Sequence, residues 1–354
     1  LHGGDIDYKL EVPGWAVAIF FLTFWTFAML FLSLNYTLGH VVNTLTMVET
    51  PLKDVEIRVT AEESHAPLEK DTNQGEDDKL MGAEDMVAEV KFQPVTAKIR
   101  TTIRHLHTTA GFAARWRGLR YGLLYTFLVG LISQIVMVAV PIPPIASVLA
   151  AIPLIPLHCA WTHATIAMPS KKSMYARMDR STIRKLAVPA VMRVLMIDLS
   201  MLSIVFVAQG WRLVPSEHTH TVYGFLAGNS IFTIIFAVLV WLYVVLPAQT
   251  AFTRLEASLL SDDDETIVPF DRTLGGQLEP AVLSTQTGYQ TMKAALRSFT
   301  GESRSRIAKL AVKQVLIYTV FVLLFVHVML LELMVLPGNA TKVMHDQAKA
   351  HFPN

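Results

Sequence analysis

Two charged residues lie where charge is costly. Arg193 and Asp198 interrupt an apolar stretch at 186–209, and His158, His327 and Gln134 fall well inside three others. An ionisable side chain in hydrocarbon faces a partner or a water-filled cavity rather than lipid. Asp198 is nearly central in its stretch. Arg193 is about 10 Å from the basic end, at 1.5 Å rise per residue, and its long stem lets it snorkel to the interface. The two are five residues apart, about 140° around a helix, which makes them poor mutual partners. Asp198 with His327 or His158 is therefore the expected polar centre. It has two readings: a proton-linked or anion site in a cavity, or an interhelical hydrogen bond that positions helices. Gln134 fits either, and Glu332 is close enough to its helix end to reach water.

Other chemistries find less support. His158 and His163 are also about 140° apart and do not form a two-histidine metal face. Glu217-His-Thr-His220 is a short cluster of a kind common by chance. The lone thiol, Cys159, permits no intramolecular disulfide. There is no Gly-x-Ser-x-Gly elbow, Walker loop, His-Glu-x-x-His or Cys-x-x-Cys pair. The expectation is a chain that is not an enzyme, with no cofactor and no resident metal. A formal net charge of +1 gives no global attraction to nucleic acid.

The elements that must position these residues are six apolar stretches, at 15–34, 121–140, 142–168, 186–209, 221–247 and 314–336. Four carry no Asp, Glu, Lys or Arg, and the whole chain is 52% hydrophobic and 17% charged. About 20 apolar residues match a hydrocarbon core of roughly 30 Å. The expected fold is an all-α integral membrane protein with its six-span domain over 1–336, and the lipid bilayer is its first partner. The first stretch is preceded by acids rather than a basic region, so no signal peptide is expected.

The basic residues set the orientation. Of the 30 Lys and Arg, ten fall in 42–119, six in 169–185 and eight in 248–313, against four on the opposite side. By the positive-inside rule, both termini, including the tail at 337–354, face outward. The three basic segments face the cytosol or the mitochondrial matrix, so a mitochondrial membrane and an endomembrane both fit. The Asn339-Ala-Thr341 sequon is on the outer side, close to the last span.

Residues 60–93 are acidic and poor in apolar groups, the signature of a solvated, mobile insertion. After Pro94, Ile99, Ile103, Leu106 and Ala110 recur at helical spacing with Lys98, Arg100, Arg104 and His105 on other flanks. A second such segment has Met292, Ala295, Leu296 and Phe299 with Lys293 and Arg297. Both are basic amphipathic helices suited to the headgroup layer, where anionic lipid is a candidate partner.

The odd stretches end alike. Pro51 is followed by Arg58, Pro169 by Arg177 and Pro247 by Arg254. A proline inside a helix removes a backbone hydrogen bond and kinks it, so three such kinks would draw three helices together at the basic end. The chain then resolves into three hairpins.

Three hairpins, the Pro and Arg pattern and outward termini resemble the mitochondrial carrier superfamily. Residues Gly111-Phe-Ala-Ala-Arg-Trp116-Arg117-Gly118 fit the second half of its repeat motif, with Ala110 in place of the acid. Phe225-Leu-Ala-Gly228 is also similar. The resemblance implies a pseudo-threefold arrangement around a central cavity and transport of a small solute. It departs at the inner gate, where the family pairs acid with base. Those positions hold Lys53 and Glu56, Lys171 and Met174, and Gln249 and Phe252. A carrier relative without gate charges could instead be a non-transporting scaffold whose basic amphipathic helices and acidic loop recruit lipid or partners. The stretch Glu265-Thr-Ile-Val-Pro-Phe-Asp-Arg272 is also similar to a group of fungal multispanning proteins, some labelled "ubiquitin carrier protein"; with a single membrane-embedded thiol, ubiquitin chemistry is not expected. Oligomeric state is left open.

Overall fold

The computed structural model describes residues 13–50, 55–58, 87–90, 93–170, 178–210, 219–261, 263–276 and 288–335. Pro51, Arg177, the tail at 337–354 and most of the acidic segment at 60–93 lie outside them. Six helical runs are long and apolar enough to cross a membrane, with mean hydropathies between 1.7 and 2.6. These are span 1, Gly14–Val48; span 2, Phe112–Ala139; span 3, Pro143–Ile166; span 4, Ser181–Gln209; span 5, Ser230–Ser258; and span 6, Gly301–Val335. Each expected stretch has its helix. Spans 1, 5 and 6 run beyond the apolar window on the basic side, because helix geometry continues where hydropathy falls.

The odd spans are broken within their apolar stretches, span 2 only at its start, and spans 4 and 6 are continuous. Span 1 is α1 (Gly14–Asn35), a π-helical stretch at Tyr36–Val42, and α2 (Asn43–Val48). After α3 (Ile99–Ala110), span 2 is a 3-10 stretch at Phe112–Trp116 and then α4 (Leu119–Ala139). Span 3 is α5 (Pro143–Ala151), a 3-10 turn at Ile152–Leu154, and α6 (Ile155–Ile166). Span 4 is α7 (Ser181–Gly210), continuous despite Pro189. Span 5 is α8 (Thr219–Val240), a π-helical stretch at Trp241–Val245, and α9 (Leu246–Ser258). Then come α10 (Gly288–Arg297) and the unbroken α11 (Gly301–Val335).

The breaks sit deeper than the expected proline kinks. Pro169 follows the end of α6 and bends no helix. Pro247 is in the first turn of α9, directly after the π-helical stretch, where its missing N–H disturbs the hydrogen-bond ladder. In span 3 the disturbance comes from Pro153 and Pro156.

Two short strands, β1 (Val55–Arg58) and β2 (Val87–Val90), pair antiparallel with Val55 opposite Val90. They are the one departure from the all-α expectation among the described residues, and they close the acidic segment at its base. The backbone of Arg58 belongs to β1.

Packing concentrates at the basic ends. There α2, α6 and α9 touch one another pairwise, α7 packs on α6 and α9, and α11 on α2. Toward the opposite ends, α1 lies along α11, α5 packs against both α4 and α7, and α7 lies along α8. Large apolar side chains such as Phe21, Leu22, Val138, Phe206 and Ile234 are exposed there, as expected of a surface solvated by lipid.

The two amphipathic helices spend their apolar faces on the protein itself. Leu106 is fully buried with Val41, Leu45 and Ile166, and Ile99 and Ile103 pack on Leu38, Val42 and Leu310. Met292 and Ala295 are buried against α7 and α9 residues, and Phe299 against Leu246 and Ile307.

Candidate functional site: a polar pocket above an interlocked floor

The ends of the odd spans are tied by buried polar groups. Glu49, just past α2, is almost fully buried. Its carboxylate accepts from the Val95 N–H at 2.6 Å, from the Thr96 N–H at 3.1 Å and hydroxyl at 2.5 Å, and from Arg306 at 3.1 Å. Arg254, also buried, donates its Nε to the Met47 carbonyl at 2.7 Å and Nη1 to the Ser298 carbonyl at 2.7 Å. It thus satisfies carbonyls at the ends of α2 and α10 that no helical N–H reaches.

A strap crosses beneath these ends. The Ile267 N–H donates to Ile166 O at 2.8 Å, the Met168 N–H to Glu265 O at 2.7 Å, and the Thr50 N–H to Pro269 O at 2.9 Å. Asp271 holds the strap's turn, accepting from the Thr273 N–H and hydroxyl and the Gly275 N–H. Burial pushes the Asp271 carboxyl up, but these three bonds outweigh it and leave the group below its ordinary value. The stretch Glu265 to Arg272 supplies most of this strap. Together these ties form a floor closing the basic side.

The segment 111–118 at the start of span 2 is part of the same structure. Gly111 and Gly118 both take positive φ, 77° and 73°, where a side chain is strained. Tyr36 donates to Arg117 O at 2.7 Å, Trp116 to Ser33 Oγ at 3.0 Å, and the Arg117 guanidinium donates to Ala167 O. Span 2 is thereby fastened to spans 1 and 3.

Above the floor is a pocket of roughly 240 Å³ lined from five spans. Span 1 contributes His40, Asn43 and Thr44, span 2 Tyr125, span 3 His158, Trp161 and Thr162, span 4 Arg193, and span 5 Gln249, Phe252 and Thr253. Trp161 forms one wall. It stacks on His40 at 4.0 Å between ring centroids, and its indole N–H donates to the Tyr36 hydroxyl at 3.0 Å. Gly122 makes room for it, since a Cβ there would lie 2.7 Å from the indole ring. His40 meets the Thr165 hydroxyl at 3.2 Å.

At one side of the pocket is a fully buried carboxylate. Glu256, on α9, accepts from the Thr162 hydroxyl at 2.6 Å and pairs with His158 Nδ1 at 2.6 Å. Its backbone carbonyl is 2.7 Å from His163 Nε2. A buried carboxylate is sustained by such pairing.

The expected site residues divide. His158 and Arg193 meet in the pocket, and Arg254 sits in the floor below it. Arg193 does not snorkel: its guanidinium lies over the Phe252 ring at 4.9 Å. Asp198 is outside the pocket, half-buried, with no hydrogen bond or ion pair among the described residues; its Oδ2 is buried and unpartnered. His327 is exposed and bonds Leu323 O on its own helix at 2.7 Å, so the expected Asp198–His327 centre does not form. Asp198 does not meet His158 either. Gln134 is exposed on α4. A helix apolar on all sides has no sequence-encoded inner face, so the rotation of these three residues had no signal.

Glu256, Glu49, His40 and Trp161 were not anticipated. The signal for Glu256 was available: an acid two turns past Pro247, still in helical register with the span. Gln249 and Phe252 of span 5 line the pocket without charge.

The six apolar helices make this a multispanning integral membrane protein, and a polar pocket lined by five of them is its candidate site. No protein-family model matches the chain, nor does any curated protein or solved structure.

Proposed function

We propose that the protein is a carrier-type transporter of a small polar solute, built as three hairpins around the pocket. The observation that supports this most is the position of the pocket: it is lined where α2, α6 and α9 meet, above a floor in which hydrogen bonds and one buried ion pair cross a packed apolar cluster of Leu45, Val48, Ile166 and Ile267. The polar ties of such a floor can exchange for water when the helix ends part. In this reading Arg254, Glu49 and Arg306 take the closing role that the family's missing gate charges would play, and the pocket holds the solute while the floor is shut. A volume near 240 Å³ equals about eight waters at roughly 30 Å³ each, enough for a small metabolite. The basic side faces the cytosol or matrix, and the membrane is mitochondrial or an endomembrane.

The competing scaffold reading relies on α3 and α10 as lipid-binding surfaces, and their apolar faces are already covered by the core. The test is uptake of a broad panel of labelled small metabolites into liposomes holding the purified protein. Uptake above empty liposomes, lost on Asn43→Trp with unchanged gel-filtration behaviour, is the expected result. Uptake equal to empty liposomes across the panel would favour the scaffold.

A further inference from the structure

The charges around the pocket do not balance for every solute. Arg193 is the permanently charged side chain among the lining residues, and it makes no ion pair among the described residues. The nearest carboxylate, Glu256, does not line the pocket; it lies behind His158, bonded to Nδ1. A carboxylate accepting from Nδ1–H fixes the tautomer and leaves Nε2 as a lone pair. With His158 neutral, Arg193 and Glu256 sum to zero. An entering monoanion would then bring the site to a net charge of minus one, away from water, which is heavily penalised. One proton on His158 Nε2 removes that penalty. It also converts a lone pair, which repels an anion, into an N–H donor.

From this we infer that the pocket takes a small monoanion together with one proton, the anion held by Arg193 and the proton by His158. The inference rests on the transport reading above and names the solute class for that same site. The proton comes from water on the side to which the pocket is open, binds Nε2, and leaves from Nε2 after the anion has gone. Glu256 keeps the Nδ1 proton throughout and serves as a positioning residue.

The groups facing His158 from its neighbours fit this assignment. Tyr125 from α4 meets its ring edge-on at 4.9 Å, Phe252 from α9 at 5.4 Å, and Trp161 from its own helix at 5.7 Å. The titratable groups nearby are Tyr125, whose hydroxyl also hydrogen-bonds Arg193, His40, which stacks on Trp161, and Cys159 and His163, which face each other at 3.4 Å on the side of Glu256. Span 4 presents Arg193. No second carboxylate lines the pocket to take the proton in place of His158.

The test uses the full chain in liposomes, with the membrane potential clamped at zero by potassium and valinomycin. The probes are three labelled monoanions (lactate, isethionate and nitrate), alanine as a neutral zwitterion and putrescine as a cation, each read against empty liposomes. The expected result is uptake of at least one monoanion, accumulated about tenfold for each pH unit of outside-acid gradient, as one proton per anion requires. His158→Gln is expected to admit the anion without accumulating it, and Arg193→Gln to lower anion uptake at least tenfold. Uptake of alanine or putrescine with no monoanion overturns the anion assignment and leaves transport standing. Monoanion uptake that the pH gradient does not drive overturns the proton coupling. No uptake of any probe overturns the inference and the transport reading together. The wild-type arms decide the proposal, so a variant that fails to fold does not rescue it.

Discussion

The basic-side half and the outer half of these helices are built on different chemistry. Near the basic ends, Glu49, Arg254, Glu256 and Arg306 are buried or nearly so and tied by hydrogen bonds between spans. In the outer half α1 lies along α11, and α4, α5, α7 and α8 pack in a row, with exposed Phe, Leu, Ile and Val; Thr23 donating to Glu332 at 2.6 Å is a rare polar contact. Lipid solvates apolar side chains as well as a neighbouring helix does, so apolar surface gives spans little reason to close on one another. Polar groups do, because each lacks water at that depth. The bundle is thus held at one end, and the site formed where it is held.

The contrast can be broken most severely at Glu256. Glu256→Ala strips His158 and Thr162 of their shared partner and is expected to cost about 3 kcal/mol, the upper end of the penalty for leaving buried hydrogen-bonding groups unsatisfied. Thermal unfolding in detergent would show it. Gly122→Val pushes a side chain into Trp161 and is expected to cost about 1–3 kcal/mol. It should also shift the tryptophan emission, since Trp161 would leave the Tyr36 bond and the His40 stack. Asp271→Asn is expected to cost about 1 kcal/mol or less at neutral pH. Because the native carboxyl lies below its unfolded value of about 3.9, its contribution is complete well above pH 4. The gap between wild type and variant should therefore close as pH falls below about 4, in melting curves taken across pH. In the outer half, Gln134→Leu and His327→Leu should each stay within about 0.5 kcal/mol of wild type. A large loss from either would mean that the outer half is also held by polar contacts.

The two halves were also unequally legible in the sequence. The spans announce themselves, since bilayer thickness fixes the length of an apolar run. Arg193 and His158 were recognisable as intramembrane polar residues, and Arg254 through its spacing from Pro247. The pairing of Asp198 with His327 was not recoverable, because depth can be counted along a helix and rotation about its axis cannot. Glu49 and Glu256 escaped notice for a different reason: they lie past the apolar windows, in segments whose hydropathy resembles a loop. There their partners are remote in sequence: Val95, Thr96 and Arg306 for Glu49, and His158, Thr162 and His163 for Glu256.

Accessibility of the pocket from each side tests the central claim most directly. In a Cys159→Ala background, Thr44→Cys places one thiol in the pocket lining, and a membrane-impermeant thiol reagent is applied to either face of oriented proteoliposomes. The account predicts protection from the basic side, with labelling there appearing only when Arg254→Met loosens the floor. Rapid labelling from the basic side with the floor intact would contradict it.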